Sequence, residues 1–325
     1  MTPGGSAKRG RQALAAVAAV AGAVLAAGAL AACSLLASSA ASSPGSPAGS
    51  QPAPTPGTSA PPHSAAAPCP AAPAHFTCAM RVRIAAVERY LKHRPGMIGI
   101  VLRDRKTGAV WRNKYAGSQV YMASTSKLAM AVTLLQRNHA GTIHLSSSDW
   151  ATMGHMLHVS SDSAADDLWF KFGAAFYTSY FGHIGLAHAH YLHQAGVKGP
   201  YWGEITCPAN DLNAVINFVL GKLPGPVRTY LVKQLRHVAA DQHFGVWGAG
   251  PANRPGNKDG WSVEKPGWII NTAGFAGPTA RYTLTEMNSL EGQGGYQAGT
   301  NTVTQVAAIL FRGHQIPAPT VSATP

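Results

Sequence analysis

Residues 121–130 read YMASTSKLAM, which sets Ser124 and Lys127 three positions apart at the start of an apolar run. Positions i and i+3 share one face of a helix, so such a lysine reaches the hydroxyl of a serine in the first turn. Serine is a poor nucleophile until a neighbouring group takes its proton. A helix N-terminus also favours developing negative charge, and its free backbone N–H groups suit an oxyanion. The competing reading is structural: Ser124 or Thr125 is an ordinary N-cap and the lysine points at water. The spacing alone does not separate the two, and the flanking sequence has to.

Upstream, MRVRIAAVERYLKHR (80–94) carries apolar residues at helical spacing. MIGIVLRD (97–104), a turn over 105–108 and AVWRNKYAG (109–117) read as a β-hairpin. The helix from Ser124 has Leu128, Val132, Leu134 and Leu135 as its buried stripe. From 149 to about 223 the pattern is mainly helical, with one helix starting near Asp162 and another after Pro208. GWSVE (260–264), GWIINTAGF (267–275) and ARYTLTEMN (280–288) read as strands, and NTVTQVAAILFRG (301–313) as a closing helix. Two strands from one end and three from the other predict one five-stranded antiparallel sheet with the terminal helices on its face. An all-helical subdomain over about 120–244 completes an α+β fold.

The first 32 residues have the layout of an export signal, with Lys8, Arg9 and Arg11 ahead of an alanine-rich apolar run over 13–32. The run ends in LAAC, so Cys33 is the expected lipid-bearing residue and the chain is expected outside the cytoplasm, anchored to the membrane. Residues 33–76 are nearly all Ala, Ser, Pro, Gly and Thr, a composition that predicts a disordered tether. The folded domain is then expected over 77–325. The formal charge is +13, and removal of Lys8, Arg9 and Arg11 lowers it to +10 for the mature chain. The basic residues are scattered, without an arginine-rich run or interleaved aromatics, so nucleic acid is not an expected partner. Attraction to an anionic cell envelope fits better. With Cys33 lipidated, Cys69, Cys78 and Cys207 allow one disulfide and one free thiol, and the sequence leaves the pairing open.

The wording Met122-Ala123-Ser124-Thr125-Ser126-Lys127 resembles the M-A-S-T-x-K of the penicillin-recognising serine enzymes, the class A β-lactamases and D,D-peptidases. SSDSAADDLW (160–169) is similar to that family's S-D-N-x-A-A-x-x-L, read here as Ser161-Asp162-Ser163 with Ser in place of Asn. For the third element, K-T-G, Lys258-Asp259-Gly260-Trp261 stands at the first of the three late strands, in the family's order. The literal Lys106-Thr107-Gly108 precedes the nucleophile and falls in a hairpin turn. Lys265-Pro266-Gly267-Trp268 is a rival that leaves too few residues for the following strand pair. The resemblance covers roughly 78 to 315 and implies a β-lactamase-like fold.

The roles it implies follow residue by residue. Ser124 attacks a carbonyl, Lys127 is the base, Ser161 relays a proton to the leaving nitrogen, and Lys258 supplies positive charge. Backbone N–H groups of Ser124 and Trp261 hold the oxyanion, while Ser163 and Gly260 line the substrate site. Lys265 stands in for the arginine that many class A enzymes carry on the next strand. Asp at 259 in place of Thr weakens the case for binding a substrate carboxylate.

The expected partners are a β-lactam or a peptidoglycan peptide, met by a monomer without a cofactor. One departure bears on turnover: the E-x-x-L-N loop, whose glutamate activates the deacylating water, is absent from AHAHYLHQAGVKGPYWGEI (187–205). Glu204 is the only carboxylate there and comes too late; His193 is the candidate substitute. His188, His190 and His193 form H-x-H-x-x-H, but no Cys or carboxylate accompanies them, and solvent-facing imidazoles are expected rather than a metal site. The alternative in a different class is a non-catalytic envelope lipoprotein that keeps the fold to bind a peptide or partner.

Overall fold

A computed structural model describes residues 69–312, so the signal segment, Cys33 and most of the tether lie outside the described residues. Helix α1 (Cys78–Leu91) opens the fold, with Thr77 as its N-cap accepting from the Met80 backbone N–H. Ahead of it, Phe76 is buried and a disulfide joins Cys69 to Cys78, so the fold begins before residue 77. Residues 69–76, assigned to the tether by composition, are thus held to the domain by the disulfide, by buried Phe76 and by the Arg81 guanidinium, which donates to the Ala71 carbonyl and to Cys69 Sγ. Cys207 is the free cysteine among the described residues, and it is buried.

Five strands follow the expected plan: β1 (Met97–Asp104), β2 (Val110–Arg112), and late in the chain β6 (Gly256–Glu264), β7 (Gly267–Ala276) and β8 (Tyr282–Ser289). They form one antiparallel sheet in the order β2-β1-β8-β7-β6. Strand alternation sends Ile98, Ile100 and Leu102 of β1 to one face, where they meet Val303, Val306 and Leu310 of α8 (Tyr296–Arg312). Val101 points the other way into the second core. Each such buried aliphatic contributes about 1.5–3 kcal/mol. β6 begins four residues earlier than its apolar pattern, because Gly256–Gly260 are buried polar and glycine positions without a hydrophobic alternation.

The second core is built around α2 (Ser126–His139), whose first ten residues are all buried. A helix without a polar stripe lies inside its domain, here surrounded by α3 (Ser147–His158), α4 (Asp162–Phe172), α5 (Ala174–Phe181), α6 (Ala209–Gly221) and α7 (Gly225–Leu235). The region expected to be all-helical also carries a three-stranded sheet, β3 (Val120–Tyr121), β5 (Pro200–Cys207) and β4 (His190–His193). β3 pairs Val120 with Cys207 and Tyr121 with Thr206, and the Met122 N–H continues the ladder to the Ile205 carbonyl at 2.7 Å. This small sheet fixes the chain directly ahead of Ser124.

Candidate active site

Ser124 lies in a short 3₁₀ turn, Ala123–Thr125, that runs into α2. The turn is held from several sides: Thr125 N–H and Oγ1 both donate to the Met122 carbonyl, and Asn271 Nδ2 of β7 donates to the carbonyls of Tyr121 and Met122. Ala123 has a left-handed backbone, φ 48°, a strain that surrounding structure must impose on a non-glycine residue. β6, the sheet's edge strand, abuts this turn. A Cβ added at Gly260 would come within 2.8 Å of the Ser124 nitrogen and 2.7 Å of the Thr125 nitrogen. Only glycine lets the two backbones approach so closely.

Lys127 is fully buried, and its Nζ meets three oxygens: Ser124 Oγ at 3.0 Å, the Ser160 carbonyl at 2.6 Å and Asp162 Oδ1 at 2.5 Å. The indole of Trp202 covers it, with the ring centroid 4.5 Å from Nζ. Burial lowers the lysine's pKa, against the opposing pull of the Asp162 and Asp166 carboxylates. The short contact with Asp162 by itself favours the ammonium; desolvation prevails because the Asp162 side chain is 75% exposed and its charge is screened by water. A neutral Lys127 keeps two donors for Ser160 and Asp162 and turns its lone pair toward the Ser124 hydroxyl.

Lys258 is also fully buried, and its three donors are all used, on Ser160 Oγ at 2.8 Å, the Asp259 carbonyl at 2.8 Å and Gln242 Oε1 at 3.2 Å. Burial first and the Lys127 charge second bring its pKa down to about 7. Ser160 therefore bridges the two lysines, its carbonyl taking Lys127 and its hydroxyl taking Lys258.

This geometry moves the serine motif back by one residue from the expected Ser161-Asp162-Ser163. Ser161 is spent as the N-cap of α4, accepting from the Ala164 N–H at 3.2 Å, and its hydroxyl otherwise meets Ser163 Oγ at 3.1 Å. Among the described contacts neither Ser161 nor Ser163 touches a site lysine. The positions that do are Ser160 and Asp162, so the element is Ser160-Ser161-Asp162. Ser160, missed from sequence, has φ 58°, and this left-handed turn just ahead of α4 aims its hydroxyl at Lys258. The spacing to Ala164-Ala165 held the signal, because S-D-N-x-A-A counted back from those alanines begins at Ser160.

Lys265 lies in the exposed β6–β7 turn, away from the hydrogen-bonded cluster. Asp259 pairs across the sheet with Thr272, and no arginine stands there. The Asp259 side chain is buried between the sheet and the Gly245–Ala249 turn, accepts from Asn257 Nδ2, and burial raises its pKa well above the carboxylate range. It offers nothing to a substrate carboxylate. Trp261 is half-buried against Phe244 and Tyr296.

The stretch that lacks the loop glutamate forms the β4–β5 hairpin. Tyr201 Oη and Trp202 Nε1 donate to Asp166 Oδ1 at 2.6 and 2.7 Å, which pins the indole over Lys127. His193 is exposed on β4, and Glu204 lies on β5, where burial and the Glu264 charge raise its pKa. His188 Nδ1 and backbone N–H engage Asp211, while His190 is exposed. Among the described residues no three His, Cys, Asp or Glu side chains are grouped to hold a metal.

Sheet order, helical core and a serine flanked by two buried lysines define the fold of the class A β-lactamases. Solved structures with that fold include an ancestral class A β-lactamase (GNCA), 19% identical with a TM-score of 0.59, over 72% of this chain and 100% of that one. A β-lactamase from Xanthomonas campestris pv. campestris is 17% identical with a TM-score of 0.60, over 72% and 98% of the two chains. One from Sphaerobacter thermophilus is 14% identical with a TM-score of 0.58, over 72% and 96%. No family model matches the sequence, and no curated protein matches it.

Proposed function

We propose that the protein is an active-site-serine enzyme that takes an acyl group from a β-lactam or a D-Ala-D-Ala-type peptide onto Ser124 and releases it slowly. The observation that carries this reading is the buried Lys127 amine 3.0 Å from Ser124 Oγ, with its pKa lowered by desolvation. Lys127 takes the Ser124 proton as Oγ bonds to the carbonyl carbon. The backbone N–H of Ser124 and that of Trp261 on the abutting strand receive the oxyanion. Ser160, hydrogen-bonded to Lys258, passes a proton to the leaving nitrogen as the C–N bond breaks. Each such polar donor is worth about 10²–10³ in rate. Water then has to attack the ester, but the hairpin in place of the loop glutamate sets the Trp202 indole over Lys127, and the carboxylate at hand, Asp162, is bonded to Lys127. Release is therefore the slow step.

The test is labelling of the full-length protein with a fluorescent penicillin, with the adduct located by mass spectrometry. A stable adduct on Ser124 that is absent from Ser124→Ala is the expected result. Fast hydrolysis of a chromogenic cephalosporin, lost in Ser124→Ala, contradicts slow release. The contact of Asp162 with Lys127 favours a second reading, a binding protein without turnover, which predicts neither labelling nor hydrolysis. Export and lipid attachment at Cys33 are part of the proposal, supported by the N-terminal sequence. Cys33→Ser is expected to move the protein from the membrane to the soluble fraction.

A further inference from the structure

A groove of about 1010 Å³ lies between α7, the β1–β2 turn and the turns that flank β6 and β7. Its walls carry Arg105, Arg228, Lys233, Arg236, His237 and Arg254, and no acidic residue lines it. None of these six makes an ion pair among the described residues. The nearby Asp104 is occupied by a two-point bond to Arg281, at 2.6 and 3.0 Å. Burial and then the neighbouring Arg228 charge lower the pKa of Arg105, and burial and then Arg254 do the same for Arg236. The fold thus gathers like charges against their mutual repulsion.

Two of the guanidinium groups, those of Arg105 and Arg236, are positioned rather than trailing in water. Arg105 donates to the carbonyls of Ala280 and Leu220 at 2.9 and 3.0 Å, and Arg236 lies over the Phe275 ring at 5.2 Å while its Nε donates to the Arg254 carbonyl. The backbone adds an independent sign. Seven non-glycine residues have positive φ among the described residues. Two of them, Ala123 and Ser160, belong to the serine site, and three more, Arg254, Thr279 and Ala280, line this groove. Strain of this kind collects where a binding surface has to hold its shape.

We infer that this groove binds a phosphate-rich polyanion. Four of the six residues are arginines, whose planar fork matches phosphate oxygens with two parallel bonds. The volume stands at the upper end of small-molecule pockets, about 300–1,000 Å³, so one phosphate leaves most of it unfilled. The basic residues also come from three separate chain segments, the β1–β2 turn, α7 with its C-terminal end and the turn ahead of β6. The groove is distinct from the Ser124 cleft and does not depend on its chemistry.

The test is a fluorescence-anisotropy titration of the full-length protein, in detergent, with labelled short-chain polyphosphate over a series of NaCl concentrations. Arg228→Ala/Arg254→Ala is expected to bind about a hundredfold more weakly, about tenfold per arginine. Its log K against log salt should be shallower by about two charges. Arg89→Ala/Lys92→Ala, two exposed residues at the C-terminal end of α1, removes the same charge and is expected to stay within about twofold. Equal loss in that control, or none in the groove variant, overturns the site. Displacement by polyglutamate at matched charge overturns the choice of phosphate. Displacement by inorganic phosphate at matched phosphate concentration overturns the polymer. Unchanged Ser124 labelling or an unchanged thermal unfolding midpoint certifies that the groove variant is folded.

Discussion

The Trp202 indole stacks over the Lys127 amine, 4.5 Å from centroid to Nζ, and is held there by an Nε1–H bond to Asp166 at 2.7 Å. An aromatic face stabilises an ammonium by about 0.5–2 kcal/mol, so this ring opposes desolvation in setting the lysine's charge while it bars water from that side. Trp202→Phe keeps a ring and loses the donor. It is expected to cost about 0.5–1.5 kcal/mol, seen as a lower denaturant midpoint at unchanged slope, because Tyr201 still serves Asp166. Penicillin labelling should persist.

The two adjacent serines differ in what a lost hydroxyl does. Ser160→Ala removes the hydroxyl that links Lys258 to the site, and the acylation rate constant is expected to fall about 10²–10⁴-fold, at a stability cost of about 1–3 kcal/mol for the buried Lys258 donor left without its acceptor. Ser161→Ala removes an N-cap and is expected to cost about 1 kcal/mol of stability while acylation stays within a few-fold. A reversed pattern would restore Ser161 as the relay.

Asp162→Asn removes the carboxylate that raises the Lys127 pKa. With burial then opposed by less charge, the pKa falls further and more amine is neutral at pH 7. Acylation measured by stopped flow is expected to rise several-fold at neutral pH, and its acidic limb to move to lower pH. The gain is modest because Asp162 is mostly exposed and screened.

Lys258 titrates at about 7 in the folded chain against 10.5 as an ordinary lysine. Between those values the unfolded chain binds the extra proton, so this group makes stability rise with pH from about 7 to 10.5. The slope it adds is at most about 1.4 kcal/mol per pH unit. Lys258→Met keeps most of the volume and is expected to remove this rise in chemical-denaturation data taken across the window. The same change should slow acylation by about 10²–10³-fold, since the Ser160 hydroxyl loses its cationic partner.

Much of this arrangement was legible in the chain. β1 has the bounds its pattern predicts, α4 and α6 start where Asp162 and Pro208 place them, and the late strands and closing helix fall in order. These elements announce themselves through periodicity and caps. The β3–β5–β4 sheet does not: β3 has two residues, and HYLH of β4 is half imidazole and mostly exposed. The serine register was also obscured, because two consecutive serines compete for one cap; the spacing to Ala164-Ala165 marks Ser160, and the backbone turn there shows its hydroxyl free of the cap. Asp259 was readable as a departure, but its burial behind the sheet depends on the Gly245–Ala249 turn, which leaves no periodic trace.

Cys207 closes the β3 ladder opposite Val120, fully buried, with its thiol pKa pushed up by burial and then by the Asp211 charge. Such a thiol is inert toward iodoacetamide while the small sheet is closed. It reacts when β3 and β5 part, an event that also removes one of the supports of the turn bearing Ser124. With Cys69 and Cys78 joined, the chain carries its own opening gauge among the described cysteines: the alkylation rate of one sulfur reports how often the nucleophile's support comes undone.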